Sequence, residues 1–169
     1  QLRNPNEDER YLESNFIFDT SELARIDITM LESDYQFLLD DPGLREEVPA
    51  DIRFRNAFTD ETVTNVGVRF RGGTSINEDK HSWNIDFNEY VPDQRFHHLR
   101  QFNIVSHHND PSIFRGQLMM DFCRRELIPA PRSHPTDLYL HTDEVAERFL
   151  GTFINVEQID KTFLRAWYT

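Results

Sequence analysis

Val68-Arg69-Phe70-Arg71-Gly72-Gly73-Thr74-Ser75 and Lys80-His81-Ser82-Trp83-Asn84-Ile85-Asp86-Phe87 are two segments that alternate apolar and polar residues around a loop of Gly, Thr and Ser. Alternation with period two is the signature of a half-buried strand. A loop of small residues between two strands has two readings. It is a plain hairpin turn built on Gly-Gly, or it is a place where free N–H groups and hydroxyls receive a phosphate. The local sequence leaves both open.

Working outward, the same period appears at Ala24–Met30, Ala50–Arg55, Thr62–Arg71, Trp83–Asn88, Thr136–His141 and Phe149–Val156. Turn-length spacers such as Thr59-Asp60-Glu61 and Thr142-Asp143-Glu144 separate the neighbours, which predicts short antiparallel strands. Ser33–Leu39 reads as a short helix stopped by Pro42-Gly43. A stronger helix opens at Asn109-Asp110-Pro111-Ser112, with Asp110 as N-cap and Pro111 in the first turn. Its apolar side, Ile113, Phe114, Leu118, Met119, Phe122 and Cys123, is expected to pack on the sheet together with Leu127. It stops before Ile128-Pro129-Ala130-Pro131. After the last strand, Glu157–Lys161 leads into a further helix from Thr162. The expected fold is therefore α+β, a mostly antiparallel sheet with one major packed helix. Residues 1–20 form an extended lead-in, and residues 21–169 form the domain.

Composition narrows the function. Eighteen basic against thirty acidic residues give a net charge of −12, which repels nucleic acid and anionic membrane. The acids run from Glu7 to Asp160 rather than forming a tail. No apolar run approaches the length of a membrane span. Cys123 is the single cysteine, so no internal disulfide forms. Gln1 in place of Met leaves a removed leader and a trimmed chain equally open. The pairs His97-His98 and His107-His108 point to opposite sides of an extended chain, and no carboxylate falls at helical spacing to complete a zinc site. No metal site is expected.

The order of elements, with a sheet, a prominent helix, two more strands and a connector, resembles the small lobe of a protein kinase. From Val68 onward the motifs are more specific. Phe70-Arg71-Gly72-Gly73-Thr74-Ser75, Lys80–Phe87, His108-Asn109-Asp110-Pro111-Ser112-Ile113-Phe114-Arg115, Pro129-Ala130-Pro131-Arg132 and Val156–Leu164 follow one another as they do in the CotH kinase family. That family has an atypical kinase fold and is secreted or surface-associated, and some members phosphorylate spore-coat proteins. The resemblance implies ATP and Mg²⁺ as cofactors and transfer to Ser or Thr of an extracellular or spore-coat protein. It implies nucleotide contacts from Arg71, Gly72, Gly73, Thr74, Ser75 and Lys80 in the loop, and from Glu157 and Asp160 in the connector. Each has a structural counterpart: a salt-bridged strand Arg71, an exposed Lys80, an Asp160 that caps the next helix. Arg115 either reaches toward the loop or pairs with Asp121 or another nearby acid.

The chain departs from the family at two single positions and in the turn before the last strand, normally Asn-Gly-rich but here the longer, acidic His141–Glu147. Asn84 stands where the family usually has Lys, and Gly116 where Glu or Asn often follows the helix arginine. Phosphoryl transfer also needs an Asp for the acceptor proton and groups for Mg²⁺, which the resemblance places beyond the connector; no catalytic residue is expected within the chain. A non-catalytic interaction module, meeting a structural protein partner through an acidic and aromatic surface, is the alternative to an enzyme part.

Overall fold

The computed structural model describes residues 2–73, 76, 79–107 and 109–168. Its seven strands are β1 (Ala24–Thr29), β2 (Val48–Arg55), β3 (Asp60–Arg71), β4 (Ser82–Asp86), β5 (Gln101–Val105), β6 (Ser133–His141) and β7 (Arg148–Glu157). They close into a barrel in the order β1-β2-β3-β4-β5-β7-β6. Six of the seven pairings are antiparallel. The seventh joins β1 to β6 in parallel, from Ala24↔Thr136 to Thr29↔His141.

This corrects the expectation of an α+β kinase-type small lobe with a helix packed on an open sheet. The reason is what fills the inside. Ile26 and Ile28 from β1, Ile52 and Phe54 from β2, and Val66, Val68 and Phe70 from β3 point inward with Trp83, Ile85, Phe102, Ile104, Leu138, Leu140 and Phe153. A sheet closed on itself satisfies its apolar face with its own side chains, so no apolar sheet surface is left for a helix to cover. The main helix, α3 (Arg115–Arg125), accordingly buries only Gln117. Phe114, Leu118, Phe122 and Leu127, expected against the sheet, are 43%, 67%, 59% and 54% exposed. The helix also starts later than Pro111. The Asp110 carboxylate accepts instead from the Ser112 amide of the preceding turn and the Arg115 amide at the first residue of α3.

The two mouths of the barrel are plugged differently. At one, α2 (Glu32–Asp40) lays Tyr35 parallel to Trp83, ring centroids 6.2 Å apart, with its edge toward Phe70. At the other, Phe54, Phe87, Phe96 and Phe102 form a cluster with centroids 5.0–6.0 Å apart, joined in the core by Ile17 and Phe18. Residues 5–18, read above as an extended lead-in, are three short helical turns including α1 (Glu9–Glu13). Tyr11 of α1 packs with Phe163, Ala166 and Trp167 of α4 (Lys161–Trp167). Arg3 N–H donates to Trp167 O at 2.9 Å, which ties the two ends of the chain together.

The interior is not wholly apolar. His134 and Asn155 face each other across β6 and β7, both fully buried. Neither ring nitrogen of His134 has a partner. Burial lowers the His134 pKa from 6.5 to about 4. Because the folded state resists protonation there, the stability this group contributes is complete above pH 6.5 and is lost as pH falls toward 4. The gap corresponds to roughly 3 kcal/mol. Urea unfolding of the wild type and His134→Leu should therefore diverge on acidification, the variant gaining roughly 2–3 kcal/mol relative to wild type between pH 7 and pH 4. Parallel pH curves would show that His134 is not buried in the barrel.

Candidate functional site

Alternation along the strands sends one set of side chains into the barrel and the other outward. On the outside, the register rows Gly67↔Asp86↔Gln101, Arg69↔Asn84↔Asn103 and Arg71↔Ser82 cross β3, β4 and β5, and Asn103 continues to Val156 of β7. On β4 and β5 this outer face is polar yet hidden: Ser82, Asn84, Asp86 and Asn103 are each 5% exposed or less.

Asn103 is the hub. Its Oδ1 accepts from the Arg71 guanidinium and, at 3.4 Å, from Asn84 Nδ2. Its Nδ2 donates to Gln158 Oε1 at 2.9 Å and to Val156 O at 3.2 Å. Asn84 Oδ1 is buried without a partner. Arg71 is half-buried; burial, and secondarily the nearby charge of Arg69, push its pKa down. Arg69 pairs with Glu47 at 3.3 Å, whereas among the described residues no carboxylate lies within 4.0 Å of Arg71.

At the loop end the face runs into a cavity of about 510 Å³ lined by Ser82, Ser106, His107, Asp110, Arg115 and Gly116. Ser106 N–H donates to Ser82 Oγ at 2.9 Å. Arg115 pairs with Asp110 at 2.8 Å rather than with Asp121. A Cβ on Gly116 would stand 3.0 Å from His107 Cε1, so His107 fills the space that a larger residue at 116 would need.

The sequence-predicted residues divide accordingly. Arg71 lies on the polar face, with Gly72 (φ 145°) and Gly73 following it. Thr74 and Ser75 fall outside the described residues. Lys80 turns to the barrel mouth, where Nζ donates to Thr152 O at 2.5 Å and sits 4.2 Å from the Phe153 ring centre. Glu157 is not brought to the outer face. It pairs in register with the inward Phe102, and its carboxylate takes Arg132 N–H at 3.0 Å and the Arg132 guanidinium at 2.5 Å. That ion pair is almost fully buried; Arg132 also donates to Tyr11 O at 2.8 Å and so anchors the N-terminal turns. Asp160 caps α4 by accepting from Thr162 N and Phe163 N. The connector residue that does meet the face is Gln158. Period-two alternation from Val156 would have pointed to it, since Glu157 and Gln158 must face opposite ways.

Residues 71–73, 82, 84, 103, 109, 110, 115, 116 and 158, from separate parts of the chain, thus border one face and its cavity. A family model for CotH kinase proteins matches residues 68–168, the span that holds all of them. The chain belongs to the CotH kinase protein family. No curated protein matches it.

Sequence reasoning also missed an acidic group beside this face. Glu47, Asp86 and Glu89 bring carboxylate oxygens within 4.8 Å of one another although Glu47 is far from the other two along the chain. Desolvation, then the charges of Asp86 and Glu89, push Glu47 up to about 7. The other such group, Asp27, His141 and Glu147, is already neutralised: Asp27 pairs with Arg25 at 2.5 Å and Arg55 at 2.7 Å. Because Glu47 is raised, the folded state prefers it protonated; that preference contributes fully below pH 4.5 and is lost as pH rises through 7. Glu47→Gln should therefore raise the melting temperature at pH 8 and lose that advantage at pH 5. An equal effect at both pH values would show that Glu47 is not held among like charges.

Proposed function

We propose that this CotH-family chain supplies the ATP-binding part of a kinase that transfers a phosphoryl group to Ser or Thr of an extracellular or spore-coat protein. The observation that carries the reading is Arg71, a half-buried guanidinium with no acidic partner among the described residues, at the start of the Gly72-Gly73 loop. Desolvated cations bind phosphate more strongly than solvated ones, and the planar guanidinium suits phosphate oxygens. Arg71 would take the place of the strand lysine that Asn84 lacks. Gly72, Gly73, Thr74 and Ser75 would offer N–H and hydroxyl groups to the same phosphates, and Gln158 would meet the base or ribose at the far end of the face.

Mg²⁺ fits less well. The Asp86 row lies two residues, about 7 Å, along the strands from the Asn84↔Asn103 row that the Arg71 guanidinium reaches, and its acids are engaged elsewhere, Glu47 with Arg69 and Asp86 with Gln101. Asp110, at the loop-end cavity, is taken by Ser112 and Arg115. No step is therefore assigned to a metal held by these residues. Nor is any of them assigned as base for the acceptor hydroxyl.

The second reading, a non-catalytic module that docks a structural protein, draws on Asn84 and on the exposed apolar side of α3. Among the described residues no helix is long and apolar enough to cross a membrane.

Calorimetric titration with ATP and Mg²⁺ separates the two. Arg71→Ala should weaken binding about 10- to 100-fold, the range for a charge-assisted hydrogen bond. Gly73→Val places its side chain in open space, so the fold should persist while the backbone's approach to an anion is blocked. Arg53→Ala, on the outside of β2 and paired with Asp60, should leave affinity unchanged. Equal affinity in wild type and both loop variants, or no ATP binding at all, would favour the docking module.

A further inference from the structure

We infer that the chain has a second anion site, for a phosphate monoester dianion such as a phosphoserine side chain, between α1, the β4–β5 connection and α4. The inference is independent of the nucleotide reading. A cavity of about 210 Å³ opens there, lined by Arg10 of α1, Arg95 and His98 of the β4–β5 connection, and Thr162 and Arg165 of α4.

Three arginines lining one cavity in a protein of net charge −12 stand out, because acids outnumber bases and eight of its sixteen arginines have a carboxylate within 4.0 Å. Arg25, Arg53, Arg55, Arg69, Arg100, Arg115 and Arg132 all have carboxylates within 4.0 Å. Among the described residues Arg95 and Arg165 do not. The acids at the cavity are otherwise committed. Asp8 Oδ1 caps α1 by accepting from Arg10 N and Tyr11 N, and its Oδ2 is a loose 3.6 Å from Arg10. Glu13 accepts from His98 at 2.5 Å. The cavity therefore carries surplus positive charge in forked donors, the geometry that fits phosphate.

The surrounding fold holds these groups in place. Tyr11, one residue from Arg10, and Ala166, one residue from Arg165, are both buried in the α1–α4 cluster. Phe96, between Arg95 and His98, is buried in the aromatic plug and makes a two-way backbone pairing with Leu99. The three contributing segments are thus each anchored by an apolar residue beside the cation they present. That arrangement suits capture of a phosphate on a flexible chain, with the recognition energy in the dianion rather than in a deep apolar pocket.

The test is a calorimetric titration of the full chain at low ionic strength with three probes: inorganic phosphate, N-acetyl-phosphoserine amide and the unphosphorylated serine amide. Both phosphates should bind and the serine amide should not. Arg165→Gln and Arg95→Gln should each weaken phosphate binding at least tenfold, while Arg125→Gln, outside this cavity, should not. Chemical-shift changes from added phosphate should fall on residues 8–11, 95–98 and 162–166. Phosphate binding that Arg165→Gln and Arg95→Gln leave intact, shifts confined to the Arg71 loop, or no binding to the wild type would each overturn the inference. Binding of inorganic phosphate but not of the phosphoserine amide would overturn the assignment to a side-chain phosphate.

Discussion

The parallel pairing of β1 with β6 is the constraint on which the other features rest. It joins residues 24–29 to residues 136–141, and without it the strands would form an open sheet with two edges. Closure makes the apolar side of every strand an inside. It gives the Tyr35–Trp83 stack and the Phe54–Phe96–Phe102 cluster their places as end plugs, and it leaves α3 lying outside with its apolar side uncovered. The long separation along the chain makes this contact costly in loop entropy before it is rewarded, so the antiparallel pairs between sequence neighbours must support it.

Closure also divides the chemistry. What the barrel turns outward on β3, β4 and β5 includes a set of Arg, Asn, Asp and Ser side chains, and Asn103 links Arg71, Asn84 and Gln158 into one network. What it turns inward near the same connector becomes structural: Glu157 holds Arg132, and Arg132 holds the N-terminal turns. A buried ion pair of this kind is weak evidence for net stability, but removing either partner leaves an uncompensated charge inside the protein. One residue of register separates the two roles, Glu157 from Gln158.

Much of the strand content was legible because β1, β2, β3, β6 and β7 alternate over six or more residues. β5 escaped because Gln101–Val105 follows a run of turn residues and is not set off by one of the turn-length spacers. Closure was not legible: parallel pairing of β1 with β6 leaves no local mark, and the alternation of an open sheet is the same as that of a barrel. The amphipathic pattern of α3 was read correctly as a pattern and assigned the wrong partner, since hydrophobic periodicity says that a face is apolar and not what lies against it. At the candidate site, Arg71 was singled out from its loop. Asn103 and Gln158 were missed because neither belongs to a recognised chemical motif, and their importance comes only from register. The approach of Glu47 to Asp86 and Glu89 could not be anticipated from spacing for the same reason.

Backbone hydrogen exchange with and without Mg²⁺–ATP tests most directly whether the outer face of the closed barrel is the nucleotide face. Ligand binding slows exchange where it suppresses local opening. Slowing should concentrate at residues 69–73, 82–86, 101–105 and 156–160, with residues 51–55 and 137–141 unchanged. Slowing centred on those last two segments, or no slowing anywhere at saturating nucleotide, would contradict the assignment.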